Sequence, residues 1–398
     1  MKPLQGIRIA DFTVHAAGPF CTHMLSQLGA ECIKIESAAR PDIFRKPHAV
    51  YGRFGPATFD QVASNKLSVR LNLKHAEGVA LAKRLVSISD IAAESFRAGV
   101  MQRLGLGYDA LREIKRDIVM VSISSSGQTG PDSHFAGYAP LFGAWGGLGY
   151  LTGYRDGPPV EMRHVMDHSV GLNAALATVS ALHKRRLTGA GSHIDVAARE
   201  VATSMIAESF LAAAAGHEPG RLGNEDAICA PYGVYASAEH DRWITLAVRT
   251  DLEWQALARV MDKPELANAA RFATPEQRHA ARAELDGIVG QWLAGCEPES
   301  IVETLQKNGV AAHISWTARD LVEDQHLRFR RAIVDVPEGD AGTVRAAIGA
   351  PARFSRSDNP SIDRGTPKLG EDETYVFGEL LGISSREYRR LVDDKIIH

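Results

Sequence analysis

The chain is poor in cysteine, in charge of one sign and in long apolar runs, and each shortage removes a class of protein. Its four cysteines, Cys21, Cys32, Cys229 and Cys296, are scattered among 398 residues and form no Cys-x-x-Cys pair. Neither a zinc knuckle nor a disulfide framework is encoded, and reduced thiols in a cytosol are expected. The formal net charge is -3 and no lysine or arginine run occurs, which argues against a nucleic-acid partner while leaving small anions in play. No apolar stretch reaches the ~18 residues of a membrane span. The opening Met-Lys-Pro-Leu-Gln-Gly leads directly into a strand-like segment with no leader pattern, so a cytoplasmic protein without a membrane partner is expected. A dinucleotide fingerprint is missing as well: where Gly-x-Gly-x-x-Gly would have to stand, only Ala16-Ala17-Gly18 is found.

What is present is an ordinary globular composition, 45% hydrophobic and 23% charged. At about 150 residues per domain the length predicts two or three domains. Ile7 to Phe12 is a short apolar run, Pro19 to Leu28 has helical spacing, and Glu31 to Glu36 is a second run. Pro19 suits a first helical turn and Gly29 a C-terminal cap. The pattern repeats, with strands at Leu67 to Leu73, Ile91 to Ser95 and Asp117 to Ser124 and helices at Gly78 to Val86 and Tyr108 to Lys115. Alternation of this kind predicts an α/β fold with an open parallel sheet whose ligands gather beyond the carboxyl ends of its strands. Those ends carry Asp11-Phe12-Thr13, Glu94-Ser95-Phe96 and Ser124-Ser125-Ser126.

Glycine is dense between Gly127 and Gly157, marking tight turns or close packing. A helix is expected from His168 to Arg186 with Leu172, Leu176, Val179 and Leu182 on one face, then a strand at His193 to Val196 and a long helix ending near Gly216. Between Asn224 and Thr317 the texture changes to hairpin-like strands around Tyr235 and Trp243 to Val248, followed by short helices, as in a smaller second domain. The predicted organisation is a large domain over 1–200, a linker over 201–224, a small domain over 225–320, and a linker with a return to the large domain over 321–398.

Asp167 falls at the expected N-cap of the His168 helix, where free amides and the helix dipole favour a carboxylate, so it is expected to stay ionised. An oriented carboxylate can attack an activated carbonyl and form a mixed anhydride. Capping is the commoner use of such an aspartate, and position alone does not separate the two. His164, Asp167 and His168 form His-x-x-Asp-His, the spacing of a metal-hydrolase reading, but no glutamate base lies between the histidines and no third ligand cluster is evident. Cys21 has apolar neighbours, Phe20, Met24 and Leu25, and reads as packing rather than as a nucleophile. Arg40, Lys66, Lys74, Arg97 and Arg103 follow strands at the ligand edge and are candidates for holding phosphates, against the more general expectation of solvated charges.

Three stretches together resemble the class III CoA-transferase family, which includes formyl-CoA transferase, carnitine CoA-transferase and the acyl-CoA racemases. They are Ala17-Gly-Pro-Phe-Cys through Leu28-Gly-Ala-Glu-Cys-Ile-Lys-Ile-Glu36; Glu94-Ser-Phe-Arg-Ala-Gly-Val through Leu104-Gly-Leu-Gly-Tyr108 to Ser124-Ser-Ser-Gly-Gln-Thr-Gly-Pro131; and Asp156-Gly-Pro-Pro159 with Asp167 and Thr188-Gly-Ala-Gly191. Similarity continues weakly through Gly349-Ala-Pro351 and Leu369-Gly-Glu371. The resemblance implies an interlocked homodimer in which each chain joins a Rossmann-like large domain to a small α+β domain. It implies that Asp167 attacks an acyl-CoA thioester, that CoA passes through an aspartyl anhydride and an aspartyl-CoA thioester to an acceptor acid, and that coenzyme A is a substrate rather than a resident cofactor.

By position the family's CoA contacts fall on Val14, His15, Ala16, Ala17, Leu71, Lys74, Ser95, Phe96, Arg103, Leu104 and Gly137, with Tyr138 nearer the acyl group. Ala16 stands where formyl-CoA transferase has glutamine, Ser95 replaces an asparagine, and the glycine-rich gating loop has no counterpart between Arg221 and Tyr235, so formyl-CoA and oxalate are poor first guesses. The racemase alternative needs a histidine after Gly137, where Tyr138 stands, and tyrosine is a poor base near neutral pH. A non-catalytic CoA-binding relative would have lost the nucleophile. Arg45, His48, Arg53 and His164 hint at a dicarboxylate, in a pocket shaped by loops such as Arg40 to Phe59 and Asn224 to Tyr232.

Overall fold

The computed structural model describes residues 1–46, 55–162, 164–338 and 343–398. Six parallel strands form its main sheet: β1 (Arg8–Phe12), β2 (Glu31–Glu36), β3 (Lys66–Arg70), β4 (Ile91–Glu94), β5 (Val119–Ser124) and β6 (Ser192–Ala197). They lie in the order β3-β2-β1-β4-β5-β6. Chain order reverses between β1 and β4, and in doubly wound sheets the segments leaving such a pair of strands diverge and leave a crevice at the carboxyl ends in which ligands bind.

Both faces of the sheet are covered, so β4 (Ile-Ala-Ala-Glu) and most of β5 (Val-Met-Val-Ser-Ile-Ser) read as apolar runs, while β1, β2 and β3 carry charged residues, Asp11, Lys34 and Lys66, that are buried as well. On one face Ile9, Ala93, Val119 and Val121 pack with Cys21 and Leu25 of α1 (Ala17–Gln27) and with Met166, Val170 and Ala174 of a long helix, His164–Thr188. On the other, Ala10, Phe12, Ile33, Val69 and Met120 pack with Leu81 and Leu85 of α2 (Ala76–Ser87), Leu111 of α3 (Tyr108–Ile114), and Val376, Phe377 and Leu391 from the C-terminal stretch. Helix α1 ends as its sequence predicts: Gly29 adopts φ 105 and the amide of Ala30 returns to the Leu25 carbonyl.

The long helix, α4, begins at His164, one turn before the expected start at His168. The helix expected to run to Gly216 is two pieces, Ala198–Ser204 and Ala207–Ala214. No helix among the described residues is long and apolar enough to cross a membrane.

Contacts divide the chain into a larger unit, 1–149, 161–216 and 325–398, and a smaller one, 150–160 and 217–324. The segment Tyr150–Val160, which the sequence assigns with the rest of 1–200, groups with the smaller unit. That unit holds an antiparallel sheet of Tyr232–Ala236, Trp243–Ala247 and Ala311–Ile314, with Trp254, Phe272, Leu285 and Val289 in its core.

Candidate active site

The crevice between β1 and β4 is bordered by the loop from Thr13 to Gly18 and by Ser95. The Val14 amide donates to Ser95 Oγ at 2.9 Å, and that hydroxyl donates back to the Val14 carbonyl at 3.0 Å. His15 holds a left-handed backbone, φ 66, and its ring meets the edge of Phe44 at 6.5 Å and of Tyr138 at 6.1 Å. Gly137 lies tight against Ser125, since a Cβ there would come 2.8 Å from the Ser125 hydroxyl. The fold therefore gathers Val14, His15, Ala16, Ala17, Ser95, Gly137 and Tyr138 around the carboxyl ends of β1, β4 and β5. Leu71 is buried in the apolar cluster that Phe96 and Leu104 join. Lys74 and Arg103 are exposed.

Asp167 reaches this region because α4 packs on α1 at a notch. A Cβ on Gly171 would stand 2.6 Å from the Ala17 carbonyl oxygen and 3.1 Å from the Cys21 amide, so only glycine lets the two backbones approach this far. Asp167 lies one turn before Gly171, on the same side of the helix. The adjacent His168 ring packs edge-on against Phe20 at 4.4 Å. Gly171→Ala is expected to push the helices apart, costing about 1–3 kcal/mol of stability, as overpacking does, and to slow turnover by moving Asp167. Urea melts and kcat, measured together, check both effects.

Asp167 itself departs from expectation. It lies within the first turn of α4 rather than at its cap. The carboxylate is half-buried and accepts no hydrogen bond from any described residue. Desolvation raises its pKa from 3.8 to about 6, a rise only partly opposed by the nearby His168. It is thus a partly desolvated, weakly supported anion rather than the dipole-stabilised one that a cap would give.

Several charged residues assigned to ligand by sequence belong to the protein interior. Lys66 is wholly buried, 3.0 Å from Asp11 Oδ2, and also donates to Thr22 Oγ1 and the Pro19 carbonyl. It cannot hold a phosphate at the surface. Arg45 is spent on Glu36, with its guanidinium over the Phe59 ring at 4.3 Å. His48 and Arg53 lie outside the described residues, as does the side chain of His164. Arg40 and Arg97 are exposed. Burial drives the Cys21 thiol up to about 12, with the Asp11 charge adding to the rise, so Cys21 is a packing residue and not a nucleophile.

Two carboxylates escape the sequence reading of chemistry. Glu94, at the end of β4, accepts from the Phe96 amide at 2.7 Å, and burial raises it to about 7. Glu161 presses its carboxylate on the backbone of Gly149, where a Cβ would collide with it. The glycine density of that segment was the available signal, but it names no partner.

The whole-chain comparisons add to this geometry. A family model described as CoA-transferase family III matches residues 4–373. The chain belongs to CoA-transferase family III. A succinyl-CoA–D-citramalate CoA-transferase of Chloroflexus aurantiacus is 32% identical, the match covering 100% of this chain and 98% of that protein. A succinate–glutarate CoA-transferase of Agrobacterium fabrum is 30% identical over 95% of this chain and 96% of its own length. Among solved structures, a CaiB/BaiF family protein from Brucella suis superposes with a TM-score of 0.85 at 29% identity, covering 95% of this chain and 99% of that one. This family III member is an acyl-CoA:carboxylate CoA-transferase, and its substrates are CoA thioesters and carboxylates.

Proposed function

We propose that the enzyme transfers CoA from a dicarboxylic acyl-CoA to a second dicarboxylic acid through covalent intermediates on Asp167. The observation that carries this reading is the state of that carboxylate: desolvated, without a hydrogen-bond donor among the described residues, and set by the Gly171 notch beside the loop that borders the crevice. An anion so weakly solvated is a stronger nucleophile than one held by a cap. Its oxygen attacks the thioester carbon, the C–S bond breaks, and CoA leaves as thiolate with a mixed anhydride formed. The thiolate then attacks the aspartyl carbonyl, giving aspartyl-CoA and freeing the donor acid. The acceptor carboxylate reverses both steps, leaving as its own CoA thioester and restoring Asp167.

A dicarboxylate pair is supported by the relatives named for succinyl-CoA, citramalate, succinate and glutarate, and by Ala16 in place of the glutamine of formyl-CoA transferase. Incubation with succinyl-CoA and a labelled C4 or C5 dicarboxylic acid is expected to yield the labelled CoA ester and free succinate. Exchange of the α-proton in deuterated water without net transfer would instead establish the racemase reading. The rate should rise with pH as Asp167 loses its proton near pH 6 and level off above it, because only the carboxylate attacks. A rate that declines from pH 5 to 7 would exclude Asp167 as the nucleophile.

The same reading includes a cytoplasmic homodimer. Leu172, Leu176 and Val179, which the sequence pattern aligns on one face of α4, remain 54%, 67% and 37% exposed in the single chain. A stripe of this kind marks an association surface. Light scattering is expected to report twice the 43.1 kDa chain mass.

A further inference from the structure

The loop from Thr13 to Pro19 is gripped from beneath by groups that never reach the crevice. Lys34 Nζ donates to the Thr13 carbonyl at 2.9 Å, and Lys66 Nζ donates to the Pro19 carbonyl at 3.0 Å. Both ammonium groups are wholly buried and neutralised in place, Lys34 by Asp42 at 3.2 Å and Lys66 by Asp11 at 3.0 Å. Asp11 also accepts from the Thr13 amide at 2.9 Å and from Thr22 Oγ1 at 2.9 Å. Between the two grips Ser95 spans the sheet's reversal point and fastens Val14 by both its amide and its carbonyl. A serine hydroxyl has one proton to donate, and here the Val14 carbonyl takes it. Within this span His15 holds φ 66, a conformation that persists in a non-glycine residue only where its surroundings impose it.

We propose that Ser95, Lys34 and Lys66 are positioning residues, which act on the acyl-CoA only through the backbone of this loop and hold it in the strained shape that receives the thioester. The inference rests on the reading of the loop as part of the CoA site. It reassigns Ser95 from a ligand contact to a brace across the crevice, and it gives the buried lysines a function beyond stability.

The test uses two variants. Ser95→Ala removes both bonds to Val14 near the surface. The double variant Lys34→Met with Asp42→Asn removes the bond to the Thr13 carbonyl without leaving a lone buried charge. In the free protein, amide exchange over Val14–Ala17 is expected to accelerate about tenfold or more in both. In turnover, kcat/KM for acyl-CoA should fall about tenfold while KM for the acceptor acid stays unchanged, a split that general destabilisation does not produce. Ser95→Ala folded, with wild-type exchange and wild-type kcat/KM, overturns the proposal. The double variant tests the lysine grip separately in the same way. If the wild-type protein binds no CoA, the functional reading fails on its own, and the exchange measurement still decides whether the brace exists.

Discussion

Asp167→Asn is expected to abolish CoA transfer, lowering kcat by more than about 10³-fold as loss of a covalent nucleophile does, and at the same time to stabilise the folded protein. Both effects follow from the same burial. Asparagine keeps the shape but cannot form an anhydride, so acyl-CoA binds and no intermediate accumulates. In the wild type the folded-state pKa of about 6 exceeds the ordinary 3.8, so between those values the native state holds a proton that the unfolded chain has released. Stability therefore declines as pH rises through this window and stays reduced above pH 6. After allowance for partial solvent exposure, removing the charge should return on the order of 1–2 kcal/mol at pH 8 and nothing at pH 3.5. Denaturant melts of both proteins at the two pH values, with hydroxylamine trapping of the acylated aspartate in the wild type only, check the prediction. Retained turnover in Asp167→Asn would refute the nucleophile assignment.

Asp11→Ala should show the opposite signature, a loss of about 3–5 kcal/mol, because it strands a fully buried ammonium group. Lys66 has no exposed surface, and removal of Asp11 leaves it with only the Thr22 hydroxyl and the Pro19 carbonyl as acceptors among the described residues. Thr13 loses its acceptor as well. Burial pushes the Asp11 pKa up, but the charges of Lys66 and Lys34 outweigh it and the net direction is down. Its contribution is thus complete above the unfolded value near 4 and lost as pH falls through the lower folded value. Urea titrations at pH 7 should show the deficit. A variant as stable as wild type would show that the pair is dispensable.

The alternation of strands and helices was legible over the first 200 residues because parallel strands covered on both faces leave short, predominantly apolar runs, such as Ile7 to Phe12, interrupted only by Arg8 and Asp11, and Asp117 to Ser124. The start of α4 was not, because neither His164 nor its neighbours offers a capping residue and Asp167 mimics one a turn later. Lys66 was misread for a related reason: lysine on a strand end is ordinarily solvated, and the partner that makes burial affordable, Asp11, lies 55 residues earlier in the chain. Asp167 was named by family resemblance, but its protonation behaviour depended on packing that no local pattern reports. Gly171 could have been flagged as an interior helical glycine, a position that costs stability unless another backbone presses on it.

Asp167, the nucleophile of the mechanism proposed above, and the loop after β1 come from segments some 150 residues apart, and one side-chain-free position lets the two helices α1 and α4 sit backbone to backbone. Any slip of one rod along the other would move the carboxylate by up to a helical pitch, about 5.4 Å, far beyond bonding reach. On the proposed mechanism, chemical competence becomes a question of registration between two cylinders, with Gly171 as the detent that sets it.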